Sequence, residues 1–181
     1  MIRRTIDTDN PSIKHRLLNG SKYNGSEGIK VRGDKVKYND QWRKKKLEDI
    51  SNILSSMISS EVKNREYDDS VSGYTRCPLL TFVACTIGDD GFHFNGEVFP
   101  DEHTIFDPEA ASVKVNLLSS TPSKYGIDVH ASKDGNPHVS MHVPYNLSDN
   151  FMQLCDSVSV FIARLFSLSH FMNEYGIVED A

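Results

Sequence analysis

The chain has 181 residues, 38% of them hydrophobic, which suits one folded domain with or without an extended arm. Its net charge of −5 combines two opposite segments: residues 1–46 hold 13 Lys and Arg against 5 Asp and Glu, and residues 47–181 hold 7 against 20. This split excludes a uniformly basic nucleic-acid-binding domain. It predicts a basic segment that meets an anionic partner.

The first 28 residues are rich in Asn, Ser, Gly, Lys and Arg and hold few large apolar side chains. Such a composition cannot bury enough surface to fold, so we predict a flexible basic arm over 1–28 and a folded domain over 29–181. From Gly28 to Tyr38, apolar and polar residues alternate weakly, which favours an edge hairpin. The predicted contacts with an anionic partner are the cations of this region, Arg3, Arg4, Lys14, Arg16, Lys22, Lys30, Arg32, Lys35, Lys37, Arg43, Lys44, Lys45 and Lys46.

A helix is predicted from Asn39 or Asp40 to about Val62, because apolar residues from Leu47 to Ile58 recur at spacings of three and four. The four cations 43–46 lie near its beginning, where they oppose the helix dipole. A bound anion would explain their position, and so would a solvated helix end. The polar segment 61–76 that follows is expected to be a long surface loop.

Several strands are predicted after Pro78. The near-continuous apolar run 79–87 is typical of a strand buried on both faces, and 92–99 alternates as a one-sided strand does. Residues 100–111 are expected to form an acidic loop. Alternation of Val113, Val115 and Leu117 indicates a further strand.

The clearest hairpin lies between Tyr125 and Val143. A three-residue loop 133–135 keeps the apolar and polar faces in phase, pairs His130 with His138, and places Gly135 at the left-handed position. After it, Ser148 can cap a long amphipathic helix that runs to about Asn173.

The polar face of this hairpin is the main candidate for chemistry. Three histidines, His130, His138 and His142, would share it with Asp128 and Ser140. Imidazole is a ligand for zinc and related ions, so this face is a candidate metal site, with a metal-assisted hydrolase as the matching function. A solvated polar face is the other interpretation. The chain has no Gly-x-Ser-x-Gly element, P-loop or dinucleotide fingerprint, and we predict no catalytic residue and no cofactor.

The sequence also favours a cytoplasmic location. The first residues lack an apolar signal region, and the apolar stretch 158–172 is short and interrupted by polar residues, so we expect neither secretion nor a transmembrane segment. Three cysteines without paired spacing are expected to be free thiols.

Together these elements predict an α+β fold, with an antiparallel sheet packed against two main helices and preceded by the basic arm. This order of parts resembles that of rhabdovirus matrix proteins: the basic region 3–46, the helix from Asp40, strands from Leu79 and the hairpin that leads into the last helix. The resemblance implies a non-enzymatic protein that binds the inner membrane leaflet and the viral nucleocapsid and self-associates. No small-molecule substrate is then expected. A virulence or host-defence-antagonist protein that binds a host partner through loop 61–76 is a further alternative.

Overall fold

The computed structural model describes residues 38–58, 63–65, 69–132 and 135–179. Its elements are α1 (Asp40–Ile58), β1 (Lys63–Arg65), β2 (Ser70–Arg76), β3 (Leu80–Ile87), β4 (Gly91–Phe99), β5 (Thr104–Phe106), α2 (Pro108–Ser119), β6 (Gly126–Ala131), β7 (Pro137–Pro144), a 3₁₀ turn (Tyr145–Leu147), α3 (Phe151–Tyr175) and β8 (Ile177–Glu179). The class is α+β, as predicted.

The chain divides into two units, residues 1–43 and 44–181. Of the first unit, only residues 38–43 belong to the described ranges. The predicted arm over 1–28, its boundary, and all but the last residue of the expected hairpin 28–38 lie outside them and stay predictions.

Six strands form one antiparallel sheet in the order β1-β2-β3-β4-β7-β6, and β5 pairs with β8 in a separate two-stranded ribbon. One row of cross-strand partners runs through Val71, Cys85, Phe94, Met141 and Ile127. The first four of these side chains are buried, so this row marks the inner face of the sheet. Side chains alternate along a strand, and the neighbouring positions therefore lie on the outer face.

Helix α3 packs on the inner face of the sheet. Its buried stripe includes Leu154, Val158, Phe161 and Leu165, each fully inaccessible to solvent. The rings of Phe94 and Phe161 lie 5.4 Å apart, in a tilted arrangement. Each such side chain contributes about 1.5–3 kcal/mol when fully buried, before the entropy of ordering is subtracted. The predicted pairing of the last helix with the sheet's apolar face is confirmed.

The N-terminus of α3 is capped by Asn150, whose side-chain oxygen accepts a hydrogen bond from the Gln153 backbone N–H at 2.8 Å. The predicted cap, Ser148, instead donates to the Tyr145 carbonyl within the preceding 3₁₀ turn. With 25 residues, α3 is long and apolar enough to cross a membrane by length and composition alone. The apolar stretch predicted from the sequence, 158–172, is therefore shorter than the helix. The buried face of α3 nevertheless packs against the sheet, as the core helix of a globular protein does.

The predicted strand at 113–117 is wrong, because these residues lie in α2. Asp107 accepts a hydrogen bond from the Glu109 backbone N–H, and Pro108 occupies the first turn, where its missing N–H costs nothing. The helix buries Ala111 and Leu118, which are seven residues apart on one face. Val113 and Leu117, which suggested alternation, are exposed.

Three further expectations are corrected. The expected loop 61–76 contains strands β1 and β2. Ser70–Arg76 is a strand despite its polar composition because each of its residues has a partner in β3, between Leu80 and Thr86. Strand β3 was expected to be buried on both faces, but it is buried on one face and half-buried on the other. The expected loop 100–111 contains β5 and the start of α2.

The hairpin of β6 and β7 is confirmed in register. His130 pairs with His138, and the Ser132 backbone N–H donates to the Asn136 carbonyl at 2.7 Å. Three residues lie between the two residues of this bond, as the predicted loop 133–135 requires. Gly135 has a φ of 83°, the left-handed conformation that favours glycine.

Candidate functional site

The outer face of the sheet carries a histidine-rich polar surface on β4, β7 and β6. The register aligns two cross-strand rows of it: His93 with His142, and Glu97 with His138 and His130. A third row lies between them, with Asn95, Ser140 and Asp128 as its members. We call this surface the histidine face; its members are His93, Asn95, Glu97, Asp128, His130, His138, Ser140 and His142.

The first histidine pair lies beside the turn that joins β3 to β4. The rings of His93 and His142 stack with centroids 4.7 Å apart and an interplanar angle of 28°. His142 Nε2 lies 3.1 Å from Asp90 Oδ1. One ligand atom from each of these three residues lies within 4.8 Å of the other two, a spacing at which a metal ion can be held. We call these three residues the turn cluster.

The second histidine pair lies four residues further along the strands. The rings of His130 and His138 are 4.7 Å apart, and His130 Nδ1 lies 3.1 Å from Asp128 Oδ2. Within the described residues, His138 Nδ1 is buried without a hydrogen-bond partner. Burial lowers the pKa of His138, and the neighbouring His130 lowers it further, while Glu97 and Asp128 oppose the shift. His138 is therefore biased towards its neutral form.

The structure does not bring the three predicted histidines into one group. His138 and His142 are four residues apart on β7, which corresponds to about 13 Å along a strand. His142 instead joins His93 and Asp90, neither of which was a candidate from the sequence. The signal for His93 was its place on the polar side of β4, but only the pairing of β4 with β7 shows that the two polar sides are continuous.

The basic end of α1 is the second candidate site. Asn39 caps the helix by accepting a hydrogen bond from the Trp42 backbone N–H. Three of the cations that follow form long ion pairs with carboxylates. The nitrogen–oxygen distances are 3.5 Å for Arg43–Asp40, 3.7 Å for Lys44–Asp69 and 3.9 Å for Lys46–Asp49.

These cations differ in how accessible their side chains are to solvent. Lys45 is exposed and the Lys44 side chain is 68% accessible, whereas that of Lys46 is only 13% accessible. An exposed ion pair at such a distance contributes about 0–1 kcal/mol and competes weakly with an external anion. Lys44 and Lys45 are thus the accessible cations of this group. The nine predicted contacts from Arg3 to Lys37 lie outside the described residues.

A shallow groove of about 350 Å³ lies between α1 and α3. Its lining combines apolar and small polar side chains, Asp49, Asn52, Ile53, Ser56, Met57, Phe151 and Cys155. It holds no set of converging titratable groups comparable to the turn cluster. Among the described residues, the histidine face and the basic end of α1 are therefore the two surfaces with recognisable chemistry.

No protein-family model, curated protein or solved structure matches this chain.

Proposed function

We propose that the protein is a non-enzymatic, matrix-like structural adaptor, whose basic N-terminal region binds an anionic membrane surface and ribonucleoprotein on the cytoplasmic side. The observation that carries the proposal is the charge division of the chain at residue 46. In α1, the basic residues 43–46 are followed directly by the buried stripe that begins at Leu47. The last four cations of the basic segment therefore lie in α1.

The accessible cations supply the expected attraction. Each Lys or Arg close to an anionic membrane contributes about 1 kcal/mol, and the effect falls off within a Debye length of about 10 Å at 0.1 M salt. The first 46 residues hold thirteen such cations, and four of them at the surface would contribute about 4 kcal/mol. The same cations would release counterions from nucleic-acid phosphates, which is the proposed route to ribonucleoprotein.

Self-association is the second half of the proposal. The segment 47–181 carries 20 acidic residues against 7 basic ones and is the electrostatic complement of the basic segment. Contact between the basic region of one copy and the acidic body of the next would be head-to-tail, and such contacts extend into chains or filaments unless they close into a ring.

The test is co-sedimentation of the full chain with phosphatidylcholine vesicles with and without phosphatidylserine, at low and high salt. One variant has four arm cations neutralised: Arg3→Gln, Arg4→Gln, Lys14→Gln and Arg16→Gln. A control with the same net charge has exposed amides of the body made acidic: Asn52→Asp, Asn116→Asp, Asn146→Asp and Asn173→Asp.

We expect salt-sensitive binding to the anionic vesicles, lost in the arm variant and largely kept in the control. Single-stranded RNA added as a competitor separates the two anionic partners: displacement from vesicles indicates a shared site. Equal binding of wild type and arm variant contradicts the proposal, and so does binding that is insensitive to salt.

A further inference from the structure

We propose that the turn cluster, Asp90, His93 and His142, is a zinc site. A zinc site here is independent of the proposed adaptor function, since its three residues lie outside the basic region 1–46. Two imidazoles and one carboxylate are a ligand set for zinc and its neighbours in the first transition row. Magnesium and calcium prefer oxygen-only sites.

The three donor atoms converge because of how the β3–β4 turn meets the outer face. A Cβ at Gly88 would overlap His93 Nε2, and a Cβ at Gly91 would lie 2.6 Å from His142 Nε2. The Nε2 atoms of both histidines are thus directed at the turn that carries Asp90. Glycine at these two positions leaves the space that the rings occupy.

The turn itself is fixed by hydrogen bonds. The Gly88 N–H donates to the Gly91 carbonyl at 2.8 Å, and the Tyr145 backbone N–H donates to the Asp90 carbonyl at 3.2 Å. The Tyr145 hydroxyl donates to the Gly88 carbonyl, and its ring packs edge-on against Phe92 at 5.2 Å. Asp90 is thereby held at one backbone position beside the two imidazoles, which reduces the ordering that a metal must impose.

The distances fit tetrahedral zinc after small side-chain movements. With zinc–nitrogen and zinc–oxygen bonds of about 2.0–2.2 Å, neighbouring ligand atoms lie about 3.3 Å apart. Asp90 Oδ1 and His142 Nε2 are 3.1 Å apart, and all three donor atoms of the cluster lie within 4.8 Å of one another. Asp90 and His93 are exposed and can rotate to close the difference. Three protein ligands leave the fourth position to water or to a partner's side chain.

The second histidine pair supplies a matched control. His130 and His138 occupy the same sheet face, with the same 4.7 Å ring separation, and Asp128 Oδ2 lies 3.1 Å from His130 Nδ1. Among the described residues, however, the donor atoms of this pair and its carboxylates do not converge as those of the turn cluster do. Glu97, beside His138, accepts a hydrogen bond from Asn136 at 3.1 Å. The proposal therefore places zinc at one histidine pair and not at the other.

The test is equilibrium dialysis of untagged full-length protein against zinc chloride, with metal content and thermal unfolding measured on each sample. We expect one zinc per chain in the wild type. At a zinc concentration 100 times the dissociation constant, the melting temperature should rise by about 5–10 °C. The double variant His93→Ala/His142→Ala should lose both the metal and the shift, and His130→Ala/His138→Ala should keep them. Losing a residue that only supports a metal ligand lowers metal affinity by roughly 10–100-fold. Asp90→Asn removes a ligand itself and should weaken zinc binding by at least that much.

Gly88→Ala tests the site without removing a ligand, because its Cβ would displace His93. Its control is Gly126→Ala, where a Cβ meets no atom within 4 Å. Circular dichroism in a chelator verifies that each variant is folded. The proposal is overturned if the wild type binds no zinc, or if His93→Ala/His142→Ala binds it as tightly as wild type. It is also overturned if His130→Ala/His138→Ala is the variant that loses the metal.

Discussion

Helix α3 passes close to the sheet at Gly96, so replacing this glycine with alanine tests how the helix is docked. A Cβ at this position would lie 2.6 Å from Leu165 Cδ2 and 3.0 Å from Phe161 Cζ. Neither side chain has access to solvent, so neither can move outwards without disturbing the core. Gly96→Ala should therefore destabilise the protein, although alanine is normally preferred over glycine in a strand.

The magnitude follows from two opposing effects. An extra methyl group in a packed core costs about 1–3 kcal/mol, and the alanine backbone recovers about 0.5–1 kcal/mol of the glycine's conformational cost. The expected net loss is about 0.5–2 kcal/mol. For a chain of this size, it lowers the melting temperature by about 1–8 °C.

Urea denaturation followed by circular dichroism measures this loss, with Gly126→Ala as the control at an unobstructed strand position. Leu165→Ala alone should cost about 2–5 kcal/mol, because it leaves a cavity. In the double variant, the new methyl group at position 96 partly fills that cavity, so the two losses should fall short of additivity by about 0.5–3 kcal/mol. Additivity within about 0.5 kcal/mol would refute the proposed packing of α3 against β4.

Three further predictions follow from the described contacts. Because burial and a neighbouring histidine lower the pKa of His138, folding stability should fall as pH drops below its unfolded value of about 6.5 and continue to fall through its folded pKa. His138→Gln should lessen that fall in melts at pH 7.5 and about 5.5. Asn150→Ala should cost about 1 kcal/mol in urea denaturation, because it removes the cap of α3. Arg164→Ala should cost about 1.5–3 kcal/mol in the same assay, because Arg164 donates to the carbonyls of Leu118 and Thr121 at the end of α2.

Local patterns predicted the hairpin and the long helices well. The register of β6 and β7 follows from a short loop that must keep two faces in phase, so sequence spacing alone was sufficient. The apolar stripes of α1 and α3 repeat over several turns, and a helix places each stripe on one face. These elements need little information from distant parts of the chain.

The wrong predictions have specific physical causes. At 113–117, alternating valines suggested a strand, but the Asp107 cap and Pro108 start a helix whose buried residues are the smaller Ala111 and the later Leu118. At 70–76, the residues are too polar to reveal a strand by hydrophobicity, and the strand exists because β3 offers a complete row of backbone partners. Local propensity is overridden in both cases by capping or pairing.

The turn cluster required tertiary information. Strands β4 and β7 are adjacent in the sheet but separated in sequence by β5, α2 and β6. Hydrophobic alternation assigns His93 and His142 to polar faces, yet it does not say that these faces meet. The position of Asp90 depends further on the Tyr145 contacts that hold its turn.

The measurement that tests the adaptor most directly is the partition coefficient onto phosphatidylserine-containing vesicles at low salt, compared between the arm variant and its charge-matched control. At about 1 kcal/mol per cation, neutralising Arg3, Arg4, Lys14 and Arg16 should lower the coefficient by about two to three orders of magnitude. The four Asn→Asp substitutions in the body should lower it by less than about tenfold, since screening limits their reach. Equal losses in the two proteins would show that only net charge matters, and would contradict binding through the basic N-terminal region.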